Sequence, residues 1–366
     1  MINEIRIENF KKFQSASFEL GRITLLTGLN GAGKSTVIQA LSLIRQSIES
    51  ETIGQGAVDL NGRYVQIGTG RDALCENFRN DSGSEPFIEF GLSWKEAKST
   101  IRIEYNSDAD YLKADTEGND LNDSPLGNSE YQHIRADRIG PQVVSAHSYH
   151  QTVRQRSLGA RGEYAVDRLT NSGHETISAV RRNPGAIGNS LLDQTNAWIG
   201  ETCPGISLGA YQIQNTDAVR LDVGFGGTAG LNSSNRYRPT NVGFGVGYVL
   251  PIVVACLSAP KDSVVAIENP EAHLHPRGQS KMAQLCAAAA LDGVQVVVES
   301  HSDHFLNGLR LAKKQAQGLN VKIHYFDNDI ETGHTSISID ERGLLSHWPT
   351  GFFDESSALL SEILRP

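Results

Sequence analysis

Residues 28–36 read G-L-N-G-A-G-K-S-T, and no other stretch limits the fold of this chain so tightly. The spacing G-x-x-x-x-G-K-[ST] is that of a complete phosphate-binding loop. Glycine is needed at Gly28 and Gly33 because the backbone must bend until successive N–H groups point at phosphate oxygens. Asn30, Gly31 and Ala32 fill the loop between them. Lys34 is placed to reach the β- and γ-phosphates, and the Ser35 hydroxyl to ligate Mg²⁺, with Thr36 following. Both flanks agree. Residues 23–27 form an apolar strand pattern, and an apolar helix is expected from Lys34 to about Glu49, its N-terminus facing the phosphates. Strand, loop and helix in that order imply an α/β fold.

Length and composition set the outer bounds. The chain has 366 residues and a formal charge of −9, enough for one large or two modest domains with a substantial core. The acidic balance argues against a general nucleic-acid coat but leaves room for a local basic patch. Cys75, Cys203, Cys256 and Cys286 lie far apart with no C-x-x-C, so neither a zinc knuckle nor a disulfide framework is indicated. A reducing cytoplasm suits such a chain. The N-terminus does not read as a signal peptide, and the longest apolar run, residues 248–257, contains Pro251 and is too short for a bilayer.

Periodicity predicts strands at 4–7, 16–20, 87–94, 100–105, 264–267, 294–298, 321–326 and 335–339. Helices are expected at 190–198, from 248, at 281–291, 303–314 and 355–364. The acidic stretch 107–128 reads as an exposed loop, and 224–247 as a glycine-rich loop leading into a functional turn. Six arginines between Arg154 and Arg182 form a local basic excess. A nucleic-acid contact is one reading, but the segment lacks the interleaved aromatics of a single-strand platform, and a solvated basic face balancing acidic neighbours is the favoured one.

A phosphate loop needs an acidic partner for Mg²⁺ at the end of a neighbouring apolar strand. The strand ending in Glu268 supplies one, followed by N-P-E-A-H-L-H-P at 269–276. A second strand ends in E-S-H-S at 299–302, where His301 is placed to donate to a γ-phosphate; the plainer role is capping the next helix. His273 with His275, or His301 with His304, invites a zinc reading, but no cysteine or further carboxylate sits at ligand spacing. Lys11 and Lys12 belong either near the nucleotide or to an ordinary strand turn.

These motifs carry a resemblance. Asn9-Phe10 ahead of the loop, E-N-P-E-A-H-L-H-P at 268–276 and E-S-H-S-D-H at 299–304 resemble the OLD-like branch of ABC-type ATPases, which is related to RecF and the SMC proteins. The N-V-G-F-G-V turn at 241–246 and the W-P-x-G-F-F-D ending at 348–354 are similar to a stand-alone AAA-labelled bacterial family often encoded in anti-phage defence loci. The resemblance implies one ABC-type head over 1–366. It would have a mixed central sheet with helices on both faces, a β-rich insertion at 52–130 and a helical and loop insertion at 142–240. It implies that Gly28, Asn30, Gly31, Gly33, Lys34, Ser35 and Thr36 hold ATP. It makes Glu268 the Mg²⁺-side acid, His301 the switch histidine, and Gly243 and Gly245 the motif that reaches the ATP of a second subunit in a head-to-tail homodimer. Gln66 is the candidate for the glutamine that links ATP to the rest of the head.

Two positions depart from that family. The catalytic glutamate would follow the Mg²⁺ acid, yet Asn269 stands there, and an amide cannot take a proton from water. Glu271 is the nearby replacement; Asn269 would at most organise water through another group. Gly247-Tyr248 stands where Ser-Gln is expected, removing a hydroxyl from the cross-dimer motif. Slow hydrolysis is therefore expected. No coiled-coil arm lies between Lys34 and Glu268, and the stretch after His301 is shorter than the nuclease domain OLD proteins append. The expectation is an ATPase that controls a separately encoded effector such as a nuclease. The alternative is a nucleotide-binding scaffold that scarcely hydrolyses and holds such an effector inactive.

Overall fold

The structure, a computed structural model, describes residues 1–78, 85–128, 130–225, 235–243, 245–327, 333–349, 351–353, 359–360 and 362–364. Its strands are β1 (Ile2–Phe10), β2 (Phe13–Glu19), β3 (Ile23–Gly28), β4 (Ala57–Asp59), β5 (Phe87–Trp94), β6 (Ala97–Glu104), β7 (Tyr111–Gly118), β8 (Tyr131–Ile134), β9 (Ser145–Ala146), β10 (Ile206–Gln212), β11 (Ala218–Phe225), β12 (Val264–Glu268), β13 (Gln295–Glu299), β14 (Val321–Phe326) and β15 (His334–Ser338). Its helices are α1 (Lys34–Glu49), the single turns α2 (Gly70–Ala73) and α3 (Pro125–Asn128), then α4 (Ala165–Ser172), α5 (Leu191–Thr202), α6 (Gly245–Ser258), α7 (Pro276–Leu291) and α8 (Asp303–Gln315). The chain forms two compact units, Met1–Gly127 with Glu299–Pro366, and Asn128–Val298.

The first unit holds an antiparallel sheet in the order β2-β1-β5-β6-β7-β4. Strand β5 buries every second residue, Ile88, Phe90, Leu92 and Trp94, as a sheet with one core face requires. The same unit pairs β3 in parallel with β14, and β14 antiparallel with β15. Helix α1 buries Val37, Ile38, Leu41, Ile44 and Ile48 at helical spacing. Helix α8 starts at the Ser302 cap, whose hydroxyl accepts from the Phe305 N–H at 2.9 Å. Asp303 in its first turn and Lys313 and Lys314 in its last complement its dipole.

In the second unit β12 pairs in parallel with β8, while β10-β11-β9 is a small antiparallel sheet. Helix α6 is buried on nearly all sides. Its interior Pro251 packs on Gly162, where a Cβ would come within 2.4 Å of the proline ring. Arg181 and Asp292, both almost wholly buried, pair at 2.9 Å, and Arg181 also donates to the Cys256 and Leu257 carbonyls that end α6.

Three readings change. Residues 107–128 are not only a loop: β7 runs through them, with Leu112 and Ala114 buried and acidic side chains on the open face. Two inward side chains in an acidic run leave little periodicity to detect. Strands β10 and β11 lie in the stretch expected as a helical and loop insertion; Leu208, Val219, Leu221 and Val223 are buried, but glycine and polar neighbours mask the alternation. Half of the basic excess is structural, and Arg154, Arg156 and Arg161 are exposed. Arg168 donates to Thr152 and Glu175, Arg181 serves α6, and Arg182 donates to the Ile177 carbonyl. Half of the expected helix 355–364 lies outside the described residues; residues 359, 360, 362 and 363 are helical. No helix of the described residues is long and apolar enough to cross a membrane.

Candidate functional site

The first unit builds the phosphate loop between β3 and α1. Gly28 has φ 129°, and a Cβ there would lie 2.1 Å from the Phe326 carbonyl oxygen. Gly33 has φ 107°, and its Cβ would lie 2.5 Å from the Phe13 ring. Gly31, at φ 75°, faces open space. Two glycines are therefore fixed by contact as well as by dihedral angle. Phe13, which the motif does not name, is the floor under the second. Asn30 and Gly31 are exposed, Ala32 and Thr36 are buried, and Ser35 is half-buried at the start of α1. That helix has no side-chain cap and no acidic residue in its first turn. Its first N–H groups and positive dipole end are thus left for an anion.

Lys34 is 4% exposed, and its ammonium donates to the Gly28 and Leu29 carbonyls at 3.1 and 2.6 Å. Burial lowers its pKa, and the negative charge of Glu299 works the other way. Glu299, 7% exposed, ends β13. The next residue, Ser300, donates its N–H to the Leu26 carbonyl on β3 at 3.0 Å. His301 follows and is exposed, and Ser302 rather than His301 caps α8. So the unit brings His301 to the strand that feeds the phosphate loop. Lys11, at φ 50°, donates to Gln39 on α1 at 2.9 Å, tying the β1–β2 turn to that helix. Gln66 is exposed.

The second unit assembles the acidic turn. Glu268 ends β12. One carboxylate oxygen lies 3.1 Å from His133 Nε2 on β8, and the other accepts from the Ala136 N–H at 2.9 Å. Burial would push Glu268 up; the His133 hydrogen bond and charge, the Ala136 N–H and Arg135 outweigh it and hold the group below the usual range. Asn269 adopts φ 45°, a conformation asparagine tolerates better than glutamate. Its buried Oδ1 accepts no hydrogen bond among the described residues. The turn then closes with Ala272 N–H to Asn269 O and Leu274 N–H to Glu271 O. Glu271 is half-buried on it.

Sequence reading missed Arg138. Its guanidinium is 3% exposed and donates to the carbonyls of Arg135, Glu268 and Asn269 at 2.9, 2.6 and 2.7 Å. Burial lowers its pKa to about 10, against the opposing charges of Glu268 and Glu271. An arginine three residues after Arg135 in a turn carries no motif, so only the fold reveals it. Gly245 opens α6 with room for a Cβ only 3.0 Å from the His273 carbonyl, whereas Gly243 is exposed and open. Gly247 abuts Pro141, where a Cβ would lie at 3.1 Å. Among the described residues no three His, Cys, Asp or Glu side chains come together as a metal cluster.

A family model described as "AAA domain, putative AbiEii toxin, Type IV TA system" matches residues 23–307. A second, for a protein family of unknown function (DUF3696), matches residues 319–363. The chain is 25% identical over 348 residues to an OLD nuclease of Thermus scotoductus, covering 86% of this chain and 62% of that protein. It therefore spans about three fifths of that relative's length. Among solved structures it is similar to an SMC head bound to the C-winged helix domain of ScpA, with TM-score 0.53 and 12% identity over 92% of this chain and 98% of the other. An SMC head with an extended coiled coil, bound to the C-terminal domain of ScpA derived from Pyrococcus furiosus, gives TM-score 0.50 and 11% identity over 100% and 99%. With a family match over most of its length, the chain belongs to this AAA-domain family, and it carries a complete phosphate loop on a fold similar to that of SMC heads.

Proposed function

We propose that this chain binds and slowly hydrolyses Mg²⁺–ATP, that the ATP-bound form pairs head to tail with a second copy, and that pairing controls a separately encoded effector. The effector would act on nucleic acid in defence or repair. The observation that carries this reading is the phosphate loop itself. Its glycines hold angles other residues resist, its lysine is buried at the loop mouth, and its helix offers uncapped N–H groups. The donors suit the cofactor. Backbone N–H groups and Lys34 match phosphate, while the Ser35 hydroxyl and the Glu268 carboxylate are hard oxygens of the kind Mg²⁺ prefers. Bound there, Mg²⁺ would neutralise charge developing on the β- and γ-oxygens. Glu268 keeps lone pairs for this role, because each carboxylate oxygen accepts more than one bond.

In this reading Lys34 and the α1 N-terminus hold the triphosphate, and His301 senses the γ-phosphate. Glu271 takes the proton of the attacking water, since Asn269 cannot. Gly243 and Gly245 approach the nucleotide of the second copy. The test is phosphate release with size measured by light scattering, in ATP and Mg²⁺, against a Lys34→Ala control. Release and dimer formation above that control are expected. Nucleotide binding without release would favour the second reading, a scaffold that holds its effector inactive. Asn269 and the doubly held Glu268 carboxylate support that second reading. Absence of nucleotide binding would overturn both.

A further inference from the structure

The departure at Gly247-Tyr248 has a structural counterpart. The Tyr248 ring centroid lies 5.5 Å from the Arg138 guanidinium carbon and 4.5 Å from the His273 ring centroid. Arg138 in turn grips the Glu268 and Asn269 carbonyls, and His273 sits on the same turn at φ 62°. One side chain on the first turn of α6 therefore touches the acidic turn from two sides. A guanidinium over a tyrosine face is attracted to the ring. Its three hydrogen bonds leave it little freedom to move without the main chain it holds.

We infer that Arg138 is a positioning residue that couples α6 to the Glu268–Glu271 turn, with Tyr248 as the contact through which α6 acts. The inference rests on the reading that the 243–245 turn meets a partner's nucleotide, and it names how that event reaches the acidic turn. A shift of α6 moves Tyr248, Tyr248 moves Arg138 and His273, and the carbonyls of Glu268 and Asn269 follow. The glutamine expected at 248 could not offer the ring, so the departure replaces one device with another.

The test is amide hydrogen exchange on the full chain without nucleotide, comparing wild type with Arg138→Met, Arg138→Lys and Tyr248→Leu. The Ala272 and Leu274 amides, bonded within the turn, are the probes. Exchange there should accelerate about tenfold in Arg138→Met, less in Arg138→Lys, and clearly in Tyr248→Leu with the melting midpoint near wild type. Wild-type exchange at these amides in either Arg138→Met or Tyr248→Leu would overturn the coupling. If Arg138→Met does not fold, Arg138→Lys and Tyr248→Leu decide it. Where wild type turns over ATP, Arg138→Lys should lower kcat about tenfold with KM within about twofold, and a matching rise in KM alone would overturn the inference. Because the exchange readout needs no nucleotide, loss of ATP binding would sink the proposed function while leaving this result to stand or fall separately.

Discussion

Lys34 separates binding from everything that follows it. Its ammonium already lies against the loop carbonyls, so phosphate arrival exchanges neutral acceptors for charged ones. Lys34→Ala should weaken ATP binding about tenfold or more, as loss of a charge-assisted bond does, checked by titration with a fluorescent ATP analogue. The carboxylates should split differently. Glu271→Gln is expected to bind ATP normally, lose about 100-fold or more in turnover and accumulate as dimer in light scattering. Unchanged turnover would place the base elsewhere. Glu268→Gln should instead raise the Mg²⁺ concentration needed for half-maximal activity. The loop geometry around Lys34 and Ser35 was legible because the loop is a contiguous motif. Arg138, His133 and Phe13 were not, since each acts on residues far away in sequence that only folding brings near.

At the scale of elements, strands buried on alternate residues were easy to read, and those carrying acid on the open face were not. β5 shows the first case and β7 the second. Helix α6 gives a sharper lesson. Its apolar run was visible from Tyr248, but the helix already includes Gly245, Val246 and Gly247, because glycines and one valine give no local sign of a helix. Its end is held by Arg181, whose partner Asp292 is 4% exposed. Arg181→Met should destabilise the protein by about 3 kcal/mol, because it leaves the buried Asp292 carboxylate only the exposed Lys261 ammonium, 3.5 Å away, as a charged partner. Urea unfolding would measure this, and a loss below about 1 kcal/mol would show that Lys261 compensates Asp292 by itself.

For the whole molecule, the buried cluster of Phe13, Phe18, His324, Phe326 and His334 predicts an acid-sensitive fold. Burial lowers the His324 pKa to about 4, so it stays neutral when folded, with Nε2 2.8 Å from the Glu19 carbonyl. The unfolded chain binds this proton near pH 6.5, so stability is full above that pH and falls as pH drops towards 4. The loss from this one group is about 3 kcal/mol across that window. Urea midpoints at pH 7 and pH 4.5 should differ less in His324→Gln than in wild type. An equal pH dependence in both would remove His324 as the cause.

What the residues determined alone was local chemistry. G-L-N-G-A-G-K-S-T specifies a backbone curve and a phosphate cradle because neighbours in sequence supply its N–H groups, its lysine and its hydroxyl. The apolar strand before it and the helix after it are likewise set by short-range periodicity. What the tertiary structure decided was everything built from distant segments. It put Phe13 beneath Gly33 and brought Ser300 to β3. It also closed Arg138 over the Glu268 and Asn269 carbonyls. The reason is physical: a buried charge or an unpaired carbonyl is satisfied by whatever donor the fold brings to it, and no spacing in the chain records which donor that will be.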